Sequence, residues 1–94
     1  MIDSNATIFR EILSNIPEKQ KDLLYSIAHY GEAGQITSSK FIKRYNLSSA
    51  SSVQSALKKL LEKDLVTEIN KKYSITDKLF AMWINNIYGN KYKL

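Results

Sequence analysis

Between Ser51 and Lys59 the chain carries Ser51, Ser52, Gln54, Ser55, Lys58 and Lys59, side chains whose hydroxyl, amide and ammonium groups all donate hydrogen bonds. Serine hydroxyls and lysine ammonium groups donate to phosphate oxygens, and a glutamine amide can pair in bidentate fashion with the edge of adenine. The same residues also describe a plain soluble helix that starts on serines. Both readings stay open at this point.

Spacing decides which of these groups face outward together. Val53, Ala56, Leu57, Leu60 and Leu61 recur at i, i+3, i+4, i+7 and i+8, the apolar stripe of an amphipathic helix. With Val53 central on the buried face, Ser51, Ser55 and Lys58 point away from it, and Gln54 and Lys59 flank them. Ser48 or Ser49 is expected to cap this helix, which is read as spanning 49–63. A second group of cations, Lys40, Lys43 and Arg44 on the preceding helix with Lys71 and Lys72 at a turn, would form a basic rim around it. Lysines at such places equally serve to keep a surface solvated and a strand edge unpaired.

Other chemistries are poorly provided for. There are no cysteines and one histidine, so disulfides, thiol chemistry and the usual zinc site have no residues to build from, and no metal is expected. That histidine, His29, falls in a helix-core setting and is read as a partly buried packing residue. No base and nucleophile pair is evident, and the three glycines, Gly31, Gly34 and Gly89, make no phosphate-cradling loop. Neither catalysis nor a cofactor is therefore expected of this chain.

A length of 94 residues suits one small core, and 44% hydrophobic with 24% charged residues is the balance of a folded globule. No apolar run is long enough to cross a bilayer and no signal peptide is evident, so the reading is cytoplasmic, with no membrane partner. The net charge of +5 suits an anionic partner. The abundance of Lys, Asn, Ile and Tyr would also follow from A·T-rich coding alone.

The flanking elements follow from the same patterning. Ile8, Phe9, Ile12, Leu13 and Ile16 make one face of a leading helix that Pro17 interrupts. Pro17 and Glu18 then suit the first turn of a second helix, with Leu23, Leu24, Ile27, Ala28 and Tyr30 as its buried stripe and Gly31 and Gly34 closing it. Gln35-Ile36-Thr37 is too short for periodicity to decide, though it could be a small strand that precedes the next helix. Thr37 or Ser38 would cap a helix burying Phe41, Ile42 and Tyr45, with Asn46 turning the chain. Leu65–Ile69 and Tyr73–Thr76 read as a hairpin with its tip at 70–72. Asp77 would cap a last helix with Leu79, Phe80, Trp83, Ile84 and Ile87 on its apolar face, Phe80 and Trp83 being core residues.

Two helices joined by a short turn and followed by a hairpin predict a mainly α fold with a small β-hairpin wing, a winged helix-turn-helix. The expected organisation is a leader and short helix over 1–16, the winged-helix domain over 17–88 and a flexible tail over 89–94. Where the leading helix packs, on this domain, on a second copy or on a neighbouring domain, is left open.

Ser51-Ser52-Val53-Gln54-Ser55-Ala56-Leu57, Leu60-Leu61, Asp64-Leu65-Val66, Tyr73-Ser74-Ile75-Thr76-Asp77, Leu79-Phe80 and Trp83 together carry a resemblance. They look like the carboxy-terminal winged-helix domain that follows the nucleotide-binding core of archaeal and bacterial P-loop ATPases of the AAA+ and related families. The resemblance runs from about Ile16 to Trp83. In that family the last helix commonly opens with aspartate and proline, whereas here Lys78 follows Asp77, a change that leaves Asp77 able to cap. The resemblance brings no nucleotide-site residue, because the ATPase motifs are missing from this chain. The exposed residues themselves give the expectation of a module binding double-stranded DNA through helix 49–63 and the 70–72 tip, the alternative being one that docks on an ATPase core or another protein. A small dimeric regulator, a homodimer joined through its terminal helices, is the remaining expectation.

Overall fold

A computed structural model describes the backbone of residues 3–88 and the side chains of residues 7–87; the tail expected over 89–94 lies outside the described residues. The elements run in the order α1 (Asp3–Ser14), α2 (Glu18–Tyr30), α3 (Ser39–Arg44), α4 (Ala50–Glu62), β1 (Val66–Ile69), β2 (Lys72–Ile75) and α5 (Lys78–Tyr88). Among the described residues, five helices and one antiparallel hairpin reproduce the expected mainly α, winged architecture.

The core is organised around α2. Leu23 through Ala28 are buried without interruption, so this helix is surrounded on all sides over that stretch. Ser26, fully enclosed, is made tolerable by its own geometry, its Oγ donating to the Asp22 carbonyl at 2.7 Å. Pro17 precedes the helix in an extended conformation, where its missing N–H leaves no donor unpaired. At the other end the Gly31 N–H reaches the Ile27 carbonyl at 2.9 Å with φ at 99°, a backbone conformation that a side chain would strain.

Around α2 the polar side chains act mostly as helix caps. Ser38 Oγ accepts from the Phe41 N–H and Ser49 Oγ from the Ser52 N–H, both at 3.2 Å, fixing the starts of α3 and α4. Asn46 turns the chain between them at φ 55°. Val53, Ala56 and Leu60 of α4 are buried, with Leu57 and Leu61 half-buried at the edges of the stripe. Asp77 Oδ1 accepts from the Leu79 N–H at 2.9 Å and caps α5 as expected, while Asn85 Nδ2 donates to the Ala28 carbonyl at 3.0 Å and ties α5 to α2.

The leading helix packs on this domain. Phe9, Leu13 and Ile16 are buried in the common core, with the Phe9 ring centroid 4.8 Å from that of Phe80 and 5.5 Å from that of Trp83. Phe80 is 1% exposed, and Trp83 is half-buried beside it.

Several local expectations are corrected. Gln35-Ile36-Thr37 is a turn rather than a strand, closed by Ser38, whose N–H and Oγ both donate to the Gln35 carbonyl. The short strand partner is Ala33 instead, which exchanges two hydrogen bonds with Tyr73 of β2, at 2.9 and 2.8 Å. Lys72 belongs to β2, paired with Ile69, so the hairpin tip contracts to Asn70-Lys71. Both tip residues take positive φ, 54° and 63°, the conformation whose twist matches a two-residue hairpin. Tyr30 is exposed because the last turn of α2 emerges from the core. Ile8, Leu79 and Ile87, expected on buried faces, are also exposed, since α1 and α5 each meet the core along a stripe narrower than their apolar sequence.

Candidate nucleic-acid interface

The capped start of α4 and its three core anchors, Val53, Ala56 and Leu60, set the orientation of the remaining side chains. Ser51, Gln54, Ser55, Lys58 and Lys59 are all exposed, and Ser52 is half-buried at the flank. The ridge most distant from the core is therefore Ser51, Ser55 and Lys58, as the spacing predicts. Its short serines allow a close approach to the helix backbone, and Lys58 supplies its long cationic arm. Lys58 and Gln54 have no side-chain partner among the described residues. Lys59 lies 3.8 Å from Glu62 in an exposed ion pair, which offsets part of its charge locally without contributing much to stability.

The two sides of this ridge differ. On one side Ser51, Ser52, Ser55 and Lys59 face the start of α2 across a groove of about 570 Å³, whose far wall includes Pro17, Glu18 and Lys19. Lys63 Nζ donates to Gln20 Oε1 at 2.9 Å and links the end of α4 to α2. These four candidates line the groove together, whereas Gln54 and Lys58 stand apart from it.

The expected rim divides as well. Lys40, Lys43 and Arg44 are exposed on α3, and Lys71 is exposed at the hairpin tip. Lys40, Arg44 and Lys72 line a second groove between α3 and the base of the wing, while Lys43 and Lys71 do not contribute to it. Arg44 carries its guanidinium carbon 5.4 Å from the centroid of the Tyr45 ring, a cation over an aromatic face. Tyr45 is itself buried, and its hydroxyl lies 2.9 Å from His29 Nδ1. His29 is thus half-buried and packed, as read from its helical setting.

Residues 7–86 match the family model described as "Probable winged helix domain". The chain belongs to this family. The match includes the leading helix from Thr7 onward and α5 up to Asn86, so most of both flanking helices falls within it. No curated protein and no solved structure matches the chain. In this winged-helix chain, α3 and α4 are the helix-turn-helix and β1 and β2 the wing. No helix among the described residues is long and apolar enough to cross a membrane.

Sequence reasoning missed two contributors. Tyr30 was expected inside, yet it stands 54% exposed at the mouth of the second groove. Its position in the last turn, just before Gly31, was the available signal. The start of α2 was read only as a helix beginning, and its proximity to the serines of α4 is a tertiary fact with no local signature.

Proposed function

We propose that this winged-helix domain binds double-stranded DNA, laying the Ser51, Gln54, Ser55 and Lys58 ridge of α4 into the major groove and setting the Asn70-Lys71 tip against the backbone. The observation that carries this reading is the exposed ridge itself, polar throughout and backed by a helix anchored in the core at Val53, Ala56 and Leu60. The surplus of positive charge, +5 over the chain, supplies attraction to phosphate. Gln54 is the residue placed to read a base edge, and Ser51, Ser55 and Lys58 hold the backbone.

Fluorescence anisotropy with a labelled duplex, titrated at several salt concentrations, tests it. Two phosphates neutralised, by Lys58 and Lys71, predict a slope of log affinity against log salt of about −2, each adding roughly −0.9. Replacing Lys58 and Lys71 together by glutamate is expected to weaken binding and flatten the slope by about 2. A slope near zero in the unmodified protein, or no duplex binding at low salt, defeats the proposal.

A second reading, a protein-docking module on an ATPase core or another chain, is favoured by one observation. Leu79, Met82 and Ile87 remain exposed along α5, whose only charged residue is Lys78 at its first position. An uncharged apolar stripe suits a protein surface better than phosphate. Met82→Glu is then expected to abolish association with that partner while duplex affinity stays as it was. A reading frame with a GxxxxGK[ST] motif upstream would supply the ATPase core; a sedimentation coefficient that rises with concentration and is lost in Met82→Glu identifies a second copy instead.

A further inference from the structure

The groove between α3 and the base of the wing, about 670 Å³ in volume, contains no residue of α4 and neither residue of the hairpin tip. It gathers Tyr30 from the end of α2, Lys40, Phe41 and Arg44 from α3, and Lys72 from β2, with Glu32 as its carboxylate. Three cations against one carboxylate leave the groove positive. It is an open groove whose charged lining is exposed to solvent.

Its parts are fixed in place by the fold. Lys40 and Arg44 are four residues apart on α3 and share a face. The paired hydrogen bonds of Ala33 with Tyr73 hold the segment after α2 against β2, so that Lys72 runs alongside Gly34; a Cβ built on Gly34 would lie 3.9 Å from Lys72 Cγ. Beneath the groove the rings form a ladder. Tyr30 lies 5.7 Å from Phe41, and Phe41 lies 4.9 Å from Tyr45, centroid to centroid. Phe41 and Tyr45 are buried, whereas half of Tyr30 remains open to solvent. A supported aromatic ring in one groove with ammonium and guanidinium groups is the combination that binds a nucleotide, the base by stacking and the phosphate by charge.

We propose that this groove is a second site, taking a nucleotide unit whose base stacks on Tyr30 and whose phosphate is held by Lys40, Arg44 and Lys72. Glu32 lines the same groove and would accept a hydrogen bond from a base N–H, which thymine and adenine both offer. The nucleotide can come from a single strand of nucleic acid or as a free nucleotide, and the chemistry of recognition is common to both. This site does not depend on the duplex reading, since it shares no residue with the α4 ridge.

The test uses the full chain with two probes, a labelled oligothymidylate of roughly ten nucleotides and ATP, each titrated at low salt. Tyr30→Ala is expected to weaken binding by about tenfold, and Tyr30→Phe to retain it, because the stacking surface is kept. Lys72→Glu, at an exposed position with no core role, is expected to weaken both probes even if Tyr30→Ala proves poorly folded. Lys78→Glu, an exposed position in neither site, should leave both unchanged. Binding of the strand alone, or of ATP as well, supports the site and identifies the source. Failure of both probes to bind, wild-type affinity in Tyr30→Ala and Lys72→Glu, or equal loss in Lys78→Glu overturns it.

Discussion

A chain shortened to begin at Pro17 is expected to lose cooperative folding, or to melt at a temperature lower by more than about 12 °C, when followed by circular dichroism. The shortened chain lacks Phe9, Leu13 and Ile16, all buried in the common core. Each such side chain contributes about 1.5–3 kcal/mol when fully buried, so their joint removal approaches the roughly 5–15 kcal/mol that stabilises a typical domain. It would also uncover Phe80 and Trp83, whose rings meet Phe9. Partial burial in the unfolded chain lowers the figure without changing its rank among the effects considered. A shortened chain that melts as sharply and as high as the whole would mean that α1 is an appendage.

Phe80→Ala is expected to destabilise by about 3–5 kcal/mol, read from denaturant midpoints at constant slope. Phe80 is 1% exposed and packs against the rings of Phe9 and Trp83, at 4.8 and 6.2 Å between centroids, so its loss leaves a cavity that two large neighbours cannot easily refill. The half-buried Trp83 should cost less on truncation, about 1.5–3 kcal/mol by the area it removes from solvent. Leu79→Ala, at a position 57% exposed, should stay within about 0.5 kcal/mol. The steep contrast between neighbours at 79 and 80 reads the rotation of α5 directly, and equal losses at the two positions would contradict it.

The apolar stripe of Leu79, Met82 and Ile87 separates two ways of using this domain. Duplex binding draws on the α4 ridge and the wing tip and places no demand on α5. Protein docking uses α5 and leaves Lys58 solvated. Charge reversal on α4 and Met82→Glu therefore act on different surfaces, and measuring both in the same protein assigns each surface separately.

Much of the architecture was legible because helices and hairpins have short-range signatures. The i, i+3, i+4, i+7 recurrence from Val53 to Leu61 gave α4 its buried face, and capping at Ser49 and Asp77 followed from side chains that can reach a free N–H within three residues. The outward direction of Ser51, Ser55 and Lys58 is a consequence of the same period. Asn46 also declared its turn locally, since asparagine tolerates a positive φ.

Periodicity identifies an apolar stripe but not how much of it another element covers. For that reason Leu79 and Ile87, alike in type to Phe80 and Ile84, were assigned to the core and lie outside it. Tyr30 lies outside the core for the complementary reason: the last turn of α2 extends past the elements that enclose Leu23 to Ala28.

By itself the sequence determined the serine-led helix, its buried stripe, the wing that follows and a surface rich in ammonium groups. Which candidates stand together depends on contacts between residues far apart in the chain and has no signature along it. The pairing of Ala33 with Tyr73 moved Lys72 from the tip to a groove with Tyr30, Lys40 and Arg44, and the packing of α4 beside α2 set Ser52 and Lys59 apart from Gln54 and Lys58.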